Sequence, residues 1–263
     1  MKQYARTNVK GRLCEEAGPA VARRGFVKIC TAAAAAVAAH PALLASPDAV
    51  LEMHERVRLV SGAGGPLKSA DLQPGHSYIF NYPFATTPCF LLNLEQPANY
   101  GLTLATRDGT PYVWQGGVGP RASIVGFVAI CAHKMSHPSK TVSFLNFQPG
   151  KIGFRDRDKQ AATGTNLIHC CSERSVYDPS QGARVLGGPA REPLAAVLLE
   201  HHQASDTLHA LGVYGGQLYQ AFFDRFGLRL AIEHGISDVR KPISHEAVVV
   251  SAEDYSRTRM ACG

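Results

Sequence analysis

Apolar and polar positions fall in short runs along most of the chain. "SYIFNY" (77–82), "CFLLNL" (89–94), "YGLTLAT" (100–106), "YVW" (112–114), "ASIVGFVAI" (122–130) and "TVSFLNF" (141–147) are β-branched, aromatic or aliphatic, with Pro, Gly and Asn between them. Runs of that kind predict strands. Asp108-Gly109 in "TRDGTP" is a hairpin signal joining two of them. "ARVLGGPA" (183–190), "LAAVLLEHH" (194–202) and "TLHALGVYGG" (207–216) continue the series. The period changes only over Gln217–His234, where Leu218, Ala221, Phe222, Phe226, Leu228 and Ala231 recur at helical spacing and Gly235 can end the helix. The polar run 155–166 has no apolar period and reads as a solvated loop. Residues 236–263 are polar apart from "AVVV" (247–250) and read as a docked or loose tail. The pattern predicts an all-β sandwich or barrel followed by a C-terminal helix and tail.

The charge is unevenly placed. The chain has 263 residues and a formal net charge of +6. Residues 1–28 hold seven Lys or Arg and two Glu, which leaves 20 basic and 19 acidic residues for the rest. A nucleic-acid binder needs its basic surface in the folded part, so that class is set aside. The segment "ARRGFVKICTAAAAAVAAHPALLAS" explains the asymmetry: paired Arg23-Arg24, then Phe26 and Lys28, then an alanine-rich apolar run. A basic start before a modest apolar run is an export pattern, and this one resembles the twin-arginine (Tat) signal of bacteria. The resemblance implies a signal peptide or N-terminal anchor over 1–45 and a periplasmic location, either free or at the periplasmic face of the inner membrane. It also implies a cofactor inserted before export.

Of seven cysteines, Cys14 and Cys30 sit in that leader. Cys262, next to the last residue, reads as lying outside the ordered fold. An odd, sparse set does not predict a disulfide scaffold. Cys89 in "TPCFLLNL" reads as a small core residue. Cys131, Cys170 and Cys171 remain, in two segments: Cys131-Ala-His133-Lys-Met-Ser136, and Cys170-Cys171-Ser172-Glu173-Arg174-Ser175-Val176-Tyr177-Asp178, with Gly187-Gly188-Pro189-Ala190 after the second.

Together these segments resemble the Rieske iron–sulfur family, over about residues 60–215. That family carries Cys-x-His on one loop and Cys-x-x-His on a second. Two thiolates hold one iron of a [2Fe–2S] cluster and two imidazoles hold the other. The resemblance implies a Rieske-like β domain over 46–215, with cluster-binding loops at one tip, an insertion at about 137–166, and a helix and tail over 216–263. Position by position it makes Cys131, His133 and Cys170 ligands. Ser175 and Tyr177 fall where hydroxyls bond to the cluster sulfurs. Ser136 and Ser172 replace the cysteines that tie the two loops together in quinol-oxidising members. The fourth ligand position is Glu173, a departure from His. Glu173, His169 or Cys171 could complete the set, or the cluster could be lost and the fold kept.

The implied function is one-electron relay, as a subunit of a periplasm-facing oxidoreductase complex with a cytochrome-type acceptor and a quinol or enzyme donor. Two other readings compete. One is a cluster-free module that docks on a partner, for which Trp114 in "WQGGVGP" could serve as contact or as core. The other is a zinc protein using Cys131, His133, His169 and Cys170. Glu200-His201-His202 suggests an oxygenase iron site, but the chain after 215 is too short to build that domain, and the trio reads as a solvent-facing strand end. His137, before Pro138, reads as a turn residue.

Overall fold

The computed structural model describes residues 51–262. The 1–45 leader, Cys14 and Cys30 lie outside the described residues. Before the first motif come strands β1 (Leu51–Ser61), β2 (Ser77–Asn81), β3 (Pro88–Asn93), β4 (Leu102–Ala105), β5 (Pro111–Trp114) and β6 (Ile124–Val128). Between and around the motifs come β7 (Val142–Ser143), β8 (Leu145–Gln148), β9 (Ile152–Arg155), β10 (Ala161–Gly164), β11 (Leu167–Cys170), β12 (Ser175–Asp178) and β13 (Arg184–Gly187). β14 (Ala196–His202), β15 (Thr207–Tyr214), helix α1 (Tyr219–His234), β16 (Glu246–Ser251) and β17 (Thr258–Arg259) complete the order. The chain is all-β with one long C-terminal helix.

Seven strands close a barrel in the order β1-β15-β14-β6-β3-β2-β16. A separate four-stranded sheet, β13-β12-β11-β8, carries the second motif. The segment expected as a tail supplies β16, which closes the barrel by running parallel to β1 and antiparallel to β2. Residues 246–251 are therefore part of the β domain. A strand buried on one face only is a weak signal in sequence, and "AVVV" alone did not say which edge it would fill.

Period-two alternation builds two cores. In β3, Cys89 and Leu91 point into the barrel with Val57, Leu59, Phe80, Val197, Leu208 and Val249. Phe90 and Leu92 point outward into a second core with Phe127, Leu145, Phe147, Ile168, Tyr177 and Trp114. β3 and β6 are buried throughout because each of their faces meets a core. Trp114, 2 % exposed, is a core residue, which removes it as a docking contact. The turn at Asp108-Gly109 joins β4 to β5 as expected, with Gly109 at φ +86°.

Helix α1 covers the barrel through Tyr219, Phe222, Phe223 and Leu230 and ends at Gly235, whose left-handed φ of 65° lets its N–H reach the Ala231 carbonyl. Leu228, counted on the apolar face from the sequence, is instead 80 % exposed. His137 is not a surface turn residue. It is buried, edge-on to Phe222 and Phe226 at 4.8 and 4.9 Å, with Nδ1 2.9 Å from the Met135 carbonyl oxygen.

The region expected as an insertion divides. β8 pairs with β11 and belongs to the motif-bearing sheet. Only β9 and β10 stand apart, as a hairpin with Arg155 opposite Ala161. The run 155–166 is therefore the turn of a hairpin with paired strand on either side, at Arg155 and Ala161–Gly164, where the sequence suggested a loop throughout.

Candidate metal centre

Two loops meet at one end of the four-stranded sheet. The first follows β6. The chain continues through buried Ala129 and Ile130 to Cys131 and turns tightly: Cys131 N–H donates to the Ser136 carbonyl at 2.9 Å and Met135 N–H to the Cys131 carbonyl at 2.9 Å. The second joins β11 to β12. Arg174 N–H donates to the Cys170 carbonyl at 2.6 Å, and Arg174 adopts a left-handed φ of 57°. Each loop thus roots a cysteine in the core and carries a second donor further along.

Strand alternation decides which way the second-loop residues face. Ile168 and Cys170 on β11, Leu145 and Phe147 on β8, and Tyr177 on β12 share the inner face and pack into the outer core. His169 lies on the opposite face, opposite Val176 and Asn146. It cannot join Cys170 on one metal, so it drops out as a fourth donor. Cys171 drops out for another reason: it is in a disulfide with Cys262, 91 residues away. That bond corrects the expectation that Cys262 lies outside the ordered fold. It ties the C-terminal residues to the second loop, where β17 also pairs with β7.

Glu173 is the carboxylate that meets the first loop. Its Oε2 lies 3.0 Å from His133 Nδ1 and 3.6 Å from Lys134 Nζ. Cys131 and Cys170 are both fully buried, and each shifts the titration of the other. Tyr177 Oη accepts from Ala132 N–H at 3.1 Å and lies 3.2 Å from Cys131 Sγ. With its acceptor role taken by the amide, the hydroxyl hydrogen is placed to go to sulfur. Ser136 Oγ and Ser172 Oγ are 2.8 Å apart and bridge the loops by a hydrogen bond. Ser175 sits beside the group, but its Oγ accepts from Ala190 N–H at 3.2 Å, so it anchors a third loop, residues 188–195 between β13 and β14. Gly188 in that loop packs so closely that a Cβ would fall 2.2 Å from the Arg174 carbonyl oxygen.

The two thiols are shifted in opposite directions. Cys131 is raised well above the ordinary thiol value, first by its hydrogen bond to Cys170 and then by burial. Cys170 is lowered, because it accepts that bond and further bonds from the Ser172 hydroxyl, the Glu173 amide and the Ser136 hydroxyl. A thiolate at Cys170 is the form that binds metal. Tyr177 is raised by burial and by the neighbouring sulfur, and so stays a donor.

The donors form two pairs: two soft thiols at the root, one imidazole and one carboxylate at the rim. Among the described residues, no group of three or more His, Cys, Asp or Glu side chains converges to hold a single metal ion. With His169 turned away, the four-donor zinc site is not built. Two donors of each kind do suit a binuclear cluster, in which each iron takes only two protein ligands. Glu200 and His201 are held elsewhere, by Arg56 at 2.8 Å and Asp206 at 2.7 Å.

No protein-family model matches the chain. Among solved structures, it is similar to the soluble domain of the Rieske protein II (soxF) from Sulfolobus acidocaldarius. The two are 23% identical, with 62% of this chain and 82% of that one covered and a TM-score of 0.40.

Proposed function

We propose that this protein is a Rieske-type electron carrier that holds a [2Fe–2S] cluster through Cys131 and Cys170 on one iron and His133 and Glu173 on the other. One observation carries the reading: two loops distant in sequence carry two buried thiols at their roots and a His–carboxylate pair joined across their rims, with a buried tyrosine hydroxyl on one sulfur. When bound, such a cluster supplies one-electron transfer at a potential set by its ligands and hydrogen bonds.

The chain's own residues set those conditions. Burial of both cysteines keeps water from the sulfurs. Tyr177 directs a hydrogen bond at Cys131, which favours the reduced state. Glu173 brings negative charge where the family's usual imidazole is neutral, which favours the oxidised state. The Ser136–Ser172 bond holds the loops in register. The leader's resemblance to a Tat signal supports a location in the periplasm or at the periplasmic face of the inner membrane, where the carrier would relay electrons from an enzyme or quinol to a cytochrome-type acceptor.

Iron and acid-labile sulfide analysis of the purified protein tests the reading, together with the visible spectrum and the electron paramagnetic resonance of the reduced form. Cys170→Ala should remove colour and iron; Cys171→Ala should keep both. A colourless, iron-free protein would instead favour a cluster-free docking module. One observation speaks for that second reading: the two thiols satisfy each other, and so do His133 and Glu173.

A further inference from the structure

The β9–β10 hairpin stands over the outer face of the motif-bearing sheet. It leans on the third loop through a bridge between Asp156 and Gly187, where a Cβ on Gly187 would fall 2.0 Å from the Arg155 carbonyl oxygen. Glycine lets the two backbones touch. Between the hairpin, the second loop and the third loop lies a cavity of about 560 Å³. That size falls in the range of small-molecule sites, roughly 300–1,000 Å³.

The wall has two characters. Phe154 and Pro189 give it apolar surface, while Arg157, Lys159 and Arg174 bring positive charge. The charged ends of these three have no ion pair or hydrogen bond among the described residues. The two carboxylates that line the cavity are committed. Asp156 Oδ1 accepts from the amides of Asp158 and Gln160, closing the hairpin turn. Glu173 Oε2 holds His133 and Lys134. His169, 6 % exposed, also lines the cavity, and its Nδ1 has no hydrogen-bond partner.

We propose that this cavity binds a small organic anion: an apolar body seated on Phe154 and Pro189, carrying a carboxylate, sulfonate or phosphate group set among Arg157, Lys159 and Arg174. Three unpaired cations around one cavity repel each other, and an anion relieves that repulsion. Guanidinium groups also offer the paired donors that oxyanions accept. The apolar wall selects against bare inorganic ions, which gain nothing from it. The site explains the hairpin, which adds no strand to the barrel or to the four-stranded sheet. Since Glu173 lines the same cavity, the occupant sits beside the candidate metal centre. The inference needs only the folded hairpin and loops and does not depend on the iron–sulfur reading.

Calorimetric titration of the purified full chain with naphthalene-2-sulfonate, and with the uncharged 2-naphthalenemethanol, tests it. The sulfonate should bind saturably, and the neutral analogue about tenfold more weakly or worse, the factor that about 1.4 kcal/mol of charge recognition yields. The double variant Arg157→Ala/Arg174→Ala should lose at least about tenfold in sulfonate affinity, while Arg225→Ala/Arg240→Ala, on and beside helix α1, should bind as the unaltered protein does. Circular dichroism of each variant checks folding. No saturable binding of the sulfonate, equal affinity for the neutral analogue, or equal loss in both double variants would overturn the proposal.

Discussion

His133 Nδ1 and Glu173 Oε2 lie 3.0 Å apart, although 40 residues of sequence separate them. They are the outer pair of the proposed centre, and the carboxylate stands where the resemblance would place an imidazole. If Glu173 is a ligand, Glu173→His exchanges an anionic donor for a neutral one and should raise the reduction potential by roughly 100 mV, a modest part of the span that ligands and charge produce in such centres. Film voltammetry of the two proteins reads the shift; an unchanged potential would remove Glu173 from the ligand set.

Tyr177→Phe deletes the hydroxyl that contacts Cys131 Sγ and accepts from Ala132 N–H. The buried amide then lacks a partner, which should cost about 1–3 kcal/mol. The potential should fall as well, because a hydrogen bond to sulfur is lost. A stability loss with no change in potential would leave Tyr177 with a packing role only.

Ser136 and Ser172 already touch through their hydroxyls at 2.8 Å. Ser136→Cys with Ser172→Cys should therefore form a disulfide without moving the loops far. Closing that 36-residue separation should stabilise by about 3–4 kcal/mol on the chain-entropy view. Thiol titration under denaturing conditions counts the bond, and thermal melts with and without reductant read its effect.

Cys262→Ser removes the bond to Cys171, which spans 91 residues. The loss should reach about 4 kcal/mol on the same view. The melting temperature of the unaltered protein should drop with dithiothreitol, and that of the variant should not respond.

Acid should destabilise the fold through His137. Burial holds its pKa below the ordinary 6.5, and its Nε2 has no partner to stabilise a charge. The unfolded chain then binds the proton more readily than the folded one. The stability from a neutral His137 is complete above 6.5 and is lost as pH falls below it toward the lowered folded value. His137→Leu should flatten part of the decline in melting temperature between about pH 7 and pH 5. His169, also lowered by burial, would account for some of the slope that remains.

Alternation made the strands legible because it is a local property; that Cys131, His133, Cys170, Glu173 and Tyr177 belong together was implied only by the resemblance of the two motifs to a known family. What stayed hidden depended on tertiary register. The Cys171–Cys262 bond joins positions that only the path of the tail brings together. The run 155–166 does alternate once folded, but Ala162 and Gly164 stand where large apolar residues would have shown it. Leu228 fits a helical period, yet the barrel meets α1 through Phe222, Phe223 and Leu230. His137 looked like a turn residue because nothing local announces the two phenylalanines that enclose it.

The complete burial of Cys131 and Cys170 bears on how the protein matures. Nothing the size of a metal assembly can reach those sulfurs once the flanking turns have closed over them. If the proposed cluster is held there, it would have to be inserted before those turns close or as they close, so maturation would be tied to folding.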